Sequence, residues 1–292
     1  MEAASGVHVV DTGMWGVEGW TAAFVIDADN PVVVDAGLEG DADRVLAALD
    51  ELDVDRRDVE DVVVSHVHLD HAGGVPRLLE ECPNAVARVH PRGRPYLVDE
   101  DRVEALLEGV RAAMGSMADA YGGLTTVEEE RVETLEDGEL LDLGSHELEV
   151  VYATGHAPHH VSLYERTTES LFVVDEGCAY FDGRELCTTP PSDFDLERTL
   201  DSFETFESLE PEWLLYGHFG ANDAGVEAVD RHRRVLVDWV DAVERAWSET
   251  EDLERTLDRA VEAVGFDDDD PLLRGMLARD VRGVLGYLGV EL

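Results

Sequence analysis

The chain contains no lysine and no glutamine, a single isoleucine (Ile26) and three cysteines; its 22 basic residues are all arginine, set against 67 aspartates and glutamates. Each shortage excludes something. At a formal net charge of −45 there is no clustered basic surface to neutralise a phosphate backbone, so nucleic acid is not an expected partner. A basic patch suited to a membrane surface is missing for the same reason. No apolar run approaches the ~20 residues of a spanning helix. Cys82, Cys178 and Cys187 are odd in number and lack metal-type spacing, which excludes a disulfide framework. The opening stretch MEAASGVHVVDTG has neither a charged start nor an apolar core for export, so a cytoplasmic protein is expected.

What is present is 292 residues, 44% of them hydrophobic, enough for one large domain or a domain with an appendage. Frequent periodic apolar runs exclude disorder. A uniform carboxylate excess without lysine is what a protein dissolved in concentrated salt carries, because at 1 M salt like charges are screened within ~3 Å. The composition is therefore that expected of a halophile.

Strand-type runs occupy Val7–Val10, Ala22–Ile26, Pro31–Val34 and Val59–Val64, then Leu148–Ala153, Val161–Tyr164, Leu171–Val174 and Trp213–Tyr216. Near-continuous valine predicts strands buried on both faces. Helical spacing appears over Asp41–Leu52, and Asp99–Tyr121 reads as one long helix. Its stripe, which includes Met114 and Met117, is expected to face the core, with a lid or pocket wall as the alternative. From Gly225 onward only helix is expected: Val226–Trp247, Leu253–Val264 and Leu272–Leu288. The acidic run from Phe266 to Pro271 lacks the spaced oxygen ligands and glycine of a calcium loop and is expected to be a solvated turn. Two strand groups with intervening helices predict two packed sheets covered by helices.

The chemistry concentrates in Val62-Val-Val-Ser-His66-Val-His68-Leu-Asp70-His71-Ala-Gly-Gly74. A buried strand runs into a loop with three imidazoles and a carboxylate, a donor set that suits a divalent metal such as zinc. His66 and His68, two apart, share a face in extended backbone, while Asp70 and His71 follow the turn and can face a second ion. The two glycines permit a tight entry into a helix at Val75–Glu81.

His-x-His-x-Asp-His-x-Gly-Gly after an apolar strand resembles the metallo-β-lactamase-fold hydrolases. Later segments match in order: Thr154-Gly-His156, Asp175 closing Leu171-Phe-Val-Val, His218 in Leu214-Leu-Tyr-Gly-His, and the early Asp35 before Ala-Gly37. The resemblance implies an α/β fold, an αββα four-layer sandwich of two mixed β-sheets flanked by helices. It implies a catalytic domain over 1–224, with a helical insertion at about 99–122, and a C-terminal helical region over 225–292. It assigns His66, His68 and His156 to one metal ion and Asp70, His71 and His218 to a second, with Asp175 bridging. Asp35 and His160 would stand behind the ligands, and Asp70 would be catalytic, orienting water or carrying a proton. Two divalent ions are implied, zinc foremost, with iron or manganese as alternatives. Val174 stands where relatives carry glycine, and His159 replaces a glycine and is expected at the surface.

The remaining candidates have ordinary readings. His90 ends an apolar run as a strand-end residue; His8, His146 and His232 have no chemical neighbours in sequence; Tyr180 is expected to be a packed aromatic. Arg92 and Arg94 are expected to form surface ion pairs. The implied activity is hydrolysis of an ester, thioester or lactone of a small metabolite, with glyoxalase II similar in motif. The alternatives are a persulfide dioxygenase-like oxidoreductase with one iron on His66, His156 and Asp175, or an RNase Z-like phosphodiesterase, which the charge disfavours.

Overall fold

Valine-rich runs become the central strands of two sheets in the computed structural model, which describes residues 1–181, 183–191, 193–265 and 270–291. The first sheet holds β1 (Glu2–Ala4), β2 (Val7–Asp11), β3 (Ala22–Ile26), β4 (Val32–Val34), β5 (Asp61–Val64), β6 (Val86–Val89) and β7 (Val132–Thr134) in that order. Its pairings are antiparallel as far as β4 and parallel from β4 to β7. The second sheet comprises β8 (Leu140–Asp142), β9 (Glu147–Tyr152), β10 (Val161–Glu165) and β11 (Ser170–Val174). After a separate hairpin, β12 (Cys178–Phe181) and β13 (Arg184–Cys187), it continues with β14 (Trp213–Tyr216) and β15 (Gly220–Asn222). Its order is β15-β14-β11-β10-β9-β8, and only β11 and β14 pair in parallel.

Strands β3 and β4 are buried along their whole length, as expected of strands covered on both sides. One face of each sheet meets the other sheet, where Phe24 lies edge-on to Phe172 at 5.1 Å between ring centroids. The outer face of the first sheet is covered by α1 (Ala42–Glu51) and by α3 (Val75–Glu81), which follows the single turn α2 (Leu69–Ala72). The outer face of the second packs against α6 (Leu196–Ser208), α7 (Gly225–Thr250), α8 (Leu253–Val264) and α9 (Pro271–Tyr287). The result is the expected four-layer αββα sandwich with a C-terminal helical region.

One expectation needs correction. The stretch read as a single helix over Asp99–Tyr121 is α5 (Glu100–Met114) followed by a 3-10 segment Gly115–Tyr121, with a separate short turn α4 (Pro95–Val98) ahead of it. Gly115 breaks the helix with φ +54°, a conformation that L side chains rarely adopt. Asp99 starts α5, its carboxylate accepting from the amides of Asp101 and Arg102. The acidic run read as a solvated turn falls on residues 266–269, outside the described residues. Among the described residues no helix is long and apolar enough to cross a membrane.

Candidate metal centre

Chain direction gathers the site. Parallel strands place their carboxyl ends on one edge of the sandwich, where open α/β sheets bind ligands. Asp35 follows β4, His66 follows β5, Asp175 follows β11 and His218 follows β14, while His156 leaves the loop after β9. Asp35 (φ +61°) and Val174 (φ +51°) are both left-handed, which swings the chain off its strand. A glycine would take that conformation without strain; the valine is held there by complete burial.

All seven candidate ligands converge. Ligand atoms of His66, His68 and His156 lie within 4.8 Å of one another, as do those of Asp70, His71 and His218, and those of His66, His71 and Asp175. Asp175 stands between the groups: Oδ2 lies 3.6 Å from His156 Nε2 and 3.3 Å from His218 Nε2, and Oδ1 lies 3.5 Å from His71 Nε2.

The backs of the rings settle their tautomers. Asp35 accepts from the Ser65 amide at 2.8 Å, from Ser65 Oγ at 2.7 Å and from His71 Nδ1 at 2.9 Å. Since Ser65 spends its one proton on Asp35, its oxygen accepts from His66 Nδ1 at 3.0 Å. His156 Nδ1 donates to the Thr188 carbonyl at 3.3 Å and His218 Nδ1 to the Trp20 carbonyl at 3.1 Å. All four rings therefore direct Nε2 into the centre, as ligand imidazoles do when a hydrogen bond fixes the far nitrogen. His68 presents Nδ1 instead, 3.1 Å from His156 Nε2, and turns its Nε2 towards Asp193 at 3.6 Å.

Electrostatics agree with a cation-binding role. Burial, then neighbouring imidazoles, hold His66 well below the usual histidine range; burial does the same to His156. Burial would raise Asp175 and Asp70, but His218 and His71 outweigh it and keep both carboxyls low. Neutral His66 and His156 beside ionised carboxylates suit a divalent metal. Burial would lower His71 and His218, but Asp175 outweighs it and raises both, and each would release that proton to an incoming ion. The buried atoms His66 Nε2, His71 Nε2 and Asp175 Oδ1 have no hydrogen-bond partner, a loss that a bound ion would make good. The residues fit such a group.

His160 is fully buried, accepts from the Asp175 amide at 3.4 Å and packs beside His66, behind the ligands. His159, expected at the surface, is 7% exposed. The chain doubles back after Pro158, and His159 Nδ1 accepts from the Val67 amide at 3.4 Å. Tyr180 stacks on Tyr216 as a packed aromatic. His146 lies 3.2 Å from Glu165, and His232 meets the Tyr216 hydroxyl at 2.9 Å.

A family model described as the metallo-beta-lactamase superfamily matches residues 16–218. The chain belongs to that superfamily. It is 30% identical over 218 residues to the metallo-beta-lactamase fold-containing protein ST1585 of Sulfurisphaera tokodaii, covering 74% of this chain and 78% of that protein. The solved structure of that archaeal protein superposes with a TM-score of 0.76 over 96% of this chain and 98% of the other, at 24% identity. A probable metallo-hydrolase of Bacillus subtilis, YflN, is 24% identical across 74% of this chain and 85% of its own length. Hydroxyacylglutathione hydrolase GloC of Haemophilus influenzae is 22% identical over 51% of this chain and 62% of its own length. Membership of the metallo-beta-lactamase superfamily implies divalent metal ions and metal-dependent hydrolysis in general.

In this superfamily member the centre opens into a cleft of about 330 Å³. Its floor holds His68, Asp70, His156, Asp175 and His218. Helix α5 is its apolar wall through Leu106, Val110 and Met114, so the stripe read mainly as core lines the cleft while packing against the first core on its other side. Asp193, Tyr121, Arg279 and Asp280 also line it, and sequence reasoning identified none of them. Asp193 follows Pro190-Pro191 without a motif, and Tyr121 and Arg279 come from segments 158 residues apart. The one available signal was an Arg-Asp pair within the apolar face of the last helix.

Proposed function

We propose that the chain is a dinuclear metal-dependent hydrolase that cleaves an ester, thioester or lactone of a small metabolite. The observation that carries this reading is the pair of ligand clusters joined through Asp175, with five of the seven side chains (His68, Asp70, His156, Asp175 and His218) on one cleft and His66 and His71 buried behind them. His66, His68 and His156 would hold one ion, Asp70, His71 and His218 the other, and Asp175 would bridge. Zinc suits the nitrogen-rich first set, with iron or manganese as alternatives. Bound there, the ions would supply Lewis acidity and bring the pKa of a water near neutrality.

The chain's own residues supply orientation and proton handling. Asp35 locks His71 directly and His66 through Ser65. The Thr188 and Trp20 carbonyls lock His156 and His218. Asp70 lies 3.5 Å from His218 Nε2 with its carboxylate on the cleft, where it can orient the attacking water and pass a proton to the leaving group. The Leu106–Met114 wall excludes water from the acyl side. Cleft size favours a small molecule, and the net charge of −45 disfavours nucleic acid.

The mononuclear dioxygenase reading needs only His66, His156 and Asp175. It leaves the buried Asp70–His71–His218 set without a purpose, which favours hydrolysis. The test is metal analysis of protein purified in molar salt without chelator, paired with a panel of thioesters, lactones and phosphodiesters. We expect close to two ions per chain and turnover of an acyl substrate, with His66→Ala folded but inactive. One iron per chain with oxygen consumed on a persulfide would move the assignment to the dioxygenase.

A further inference from the structure

Helix α9 brings one guanidinium to the cleft, and its surroundings are unusual for this chain. Every other partly buried arginine meets a carboxylate or a backbone carbonyl: Arg56, Arg88, Arg94, Arg231, Arg233 and Arg274 the former, Arg131 the latter. Arg279 has neither among the described residues. Its partner is the hydroxyl of Tyr121, to which Nη1 donates at 3.1 Å. A half-buried arginine without a paired carboxylate is costly, and in a chain with a threefold excess of carboxylates the missing partner is not for want of them.

The Tyr121 oxygen accepts from Arg279, so its own proton points elsewhere, and no acceptor takes it among the described residues. The ring is 5% exposed and held edge-on by Trp15 at 5.2 Å. Burial pushes the phenol up to about 12, so it remains a donor at any working pH. None of the nearby carboxylates pairs with the guanidinium: Asp70 and Asp175 face histidines, and Asp280 turns Oδ1 to the Thr189 amide at 3.2 Å and leaves Oδ2 buried without a hydrogen-bond partner.

We infer that Arg279 and Tyr121 form a two-armed receptor for a carboxylate on the substrate, so that the enzyme selects acyl compounds carrying one anionic end and an apolar chain against α5. The guanidinium supplies the charge and the spare N–H groups, the tyrosine a directed O–H, and the pair matches the two oxygens of a carboxylate. Leu106, Val110 and Met114 face the apolar stretch, and the candidate metal centre lies in the same cleft. This inference rests on the hydrolase reading for its substrate, but not for the binding of the anion.

The experiment uses metal-loaded full-length protein in molar KCl and two esters alike except for charge, mono-4-nitrophenyl glutarate and 4-nitrophenyl pentanoate. The readout is the ratio of their kcat/KM values, with the melting-temperature shift produced by glutarate as a separate binding measurement. For Arg279→Leu we expect the ratio to fall by about 30-fold or more, with Arg279→Lys restoring part of it, and for Tyr121→Phe a fall of about 5-fold. The glutarate shift should shrink in the same order. Tyr121→Phe removes a single oxygen and answers the question if Arg279→Leu does not fold. A ratio and a glutarate shift unchanged in Tyr121→Phe and in folded Arg279 variants overturn the inference. If the wild type cleaves neither ester, the hydrolase reading is what suffers, and loss of the glutarate shift in the variants still decides for or against the receptor.

Discussion

Asp35 and Asp70 are both carboxylates at the centre, yet their removal should leave different signatures. Asp70 reaches the cleft, so Asp70→Asn should lower kcat by ~10² or more while metal content is assayed in parallel. Asp35 only holds Ser65 and His71, so Asp35→Asn should weaken metal retention by ~10-fold or more in a chelator competition, with activity recovering as metal is added. His232 permits a pH prediction away from the ligands. Burial, then Arg231, pushes its imidazole down to about 3 from the ordinary 6.5. Between those values the unfolded chain binds a proton that the folded chain refuses, so stability is lost as pH falls below 6.5. From pH 7 to 5, denaturant titration should show the wild type losing about 2 kcal/mol more than His232→Leu. Single residues were legible where a motif named them: all seven converging side chains lie in runs readable from sequence. His159 was not, because only the chain reversal after Pro158 turns it inward. The missing glycine at Val174 was readable, but not its consequence, a valine in the left-handed region.

Helix α9 shows what an element's docking depends on. Its Gly283 lies so close to the chain before α6 that an added Cβ would fall 1.7 Å from the Thr189 carbonyl oxygen. Exchange of glycine for alanine inside a helix ordinarily stabilises by about 1 kcal/mol. Here Gly283→Ala should instead destabilise, by about 2 kcal/mol, as α9 is pushed away. Arg279, one turn earlier, would move with it, so the glutarate-to-pentanoate ratio should fall as well; thermal melting alongside that ratio checks both. Most interior strands, and α1, α3, α7, α8 and α9, were plain from valine runs and helical spacing; β6 showed only through His90 at its end, and α6 and the β12–β13 hairpin were not read. Among the strands not read from sequence, β1, β7, β8 and β15 are the four edges of the two large sheets. Edge strands are short and carry charge or glycine, as in Val132-Glu-Thr, so alternation never accumulates. The break of α5 at Gly115 escaped notice because the apolar spacing continues through it to Met117.

For the whole molecule, charge is the quantity that composition made plain and topology did not need. With 67 carboxylates against 22 arginines, repulsion reaches ~30 Å at 0.01 M salt and is screened at molar salt. Melting temperature by circular dichroism, at fixed free metal, should therefore rise from dilute to molar KCl; a flat curve between 0.1 and 3 M would leave the acidity without this purpose. The layered sandwich was legible because it follows from two strand groups and their covering helices. The cleft was not, since α5 and α9 meet only in three dimensions. That meeting also has a consequence in time. The converging histidines and aspartates span residues 66 to 218, whereas Arg279 and Gly283 belong to the last helix. At ~5–20 residues per second, a ribosome delivers α9 several seconds after His218. During that interval the nascent chain already carries every nitrogen and oxygen of the centre, with no α9 beside it. The ligands of the centre are thus complete before the guanidinium proposed to select its substrate has been made.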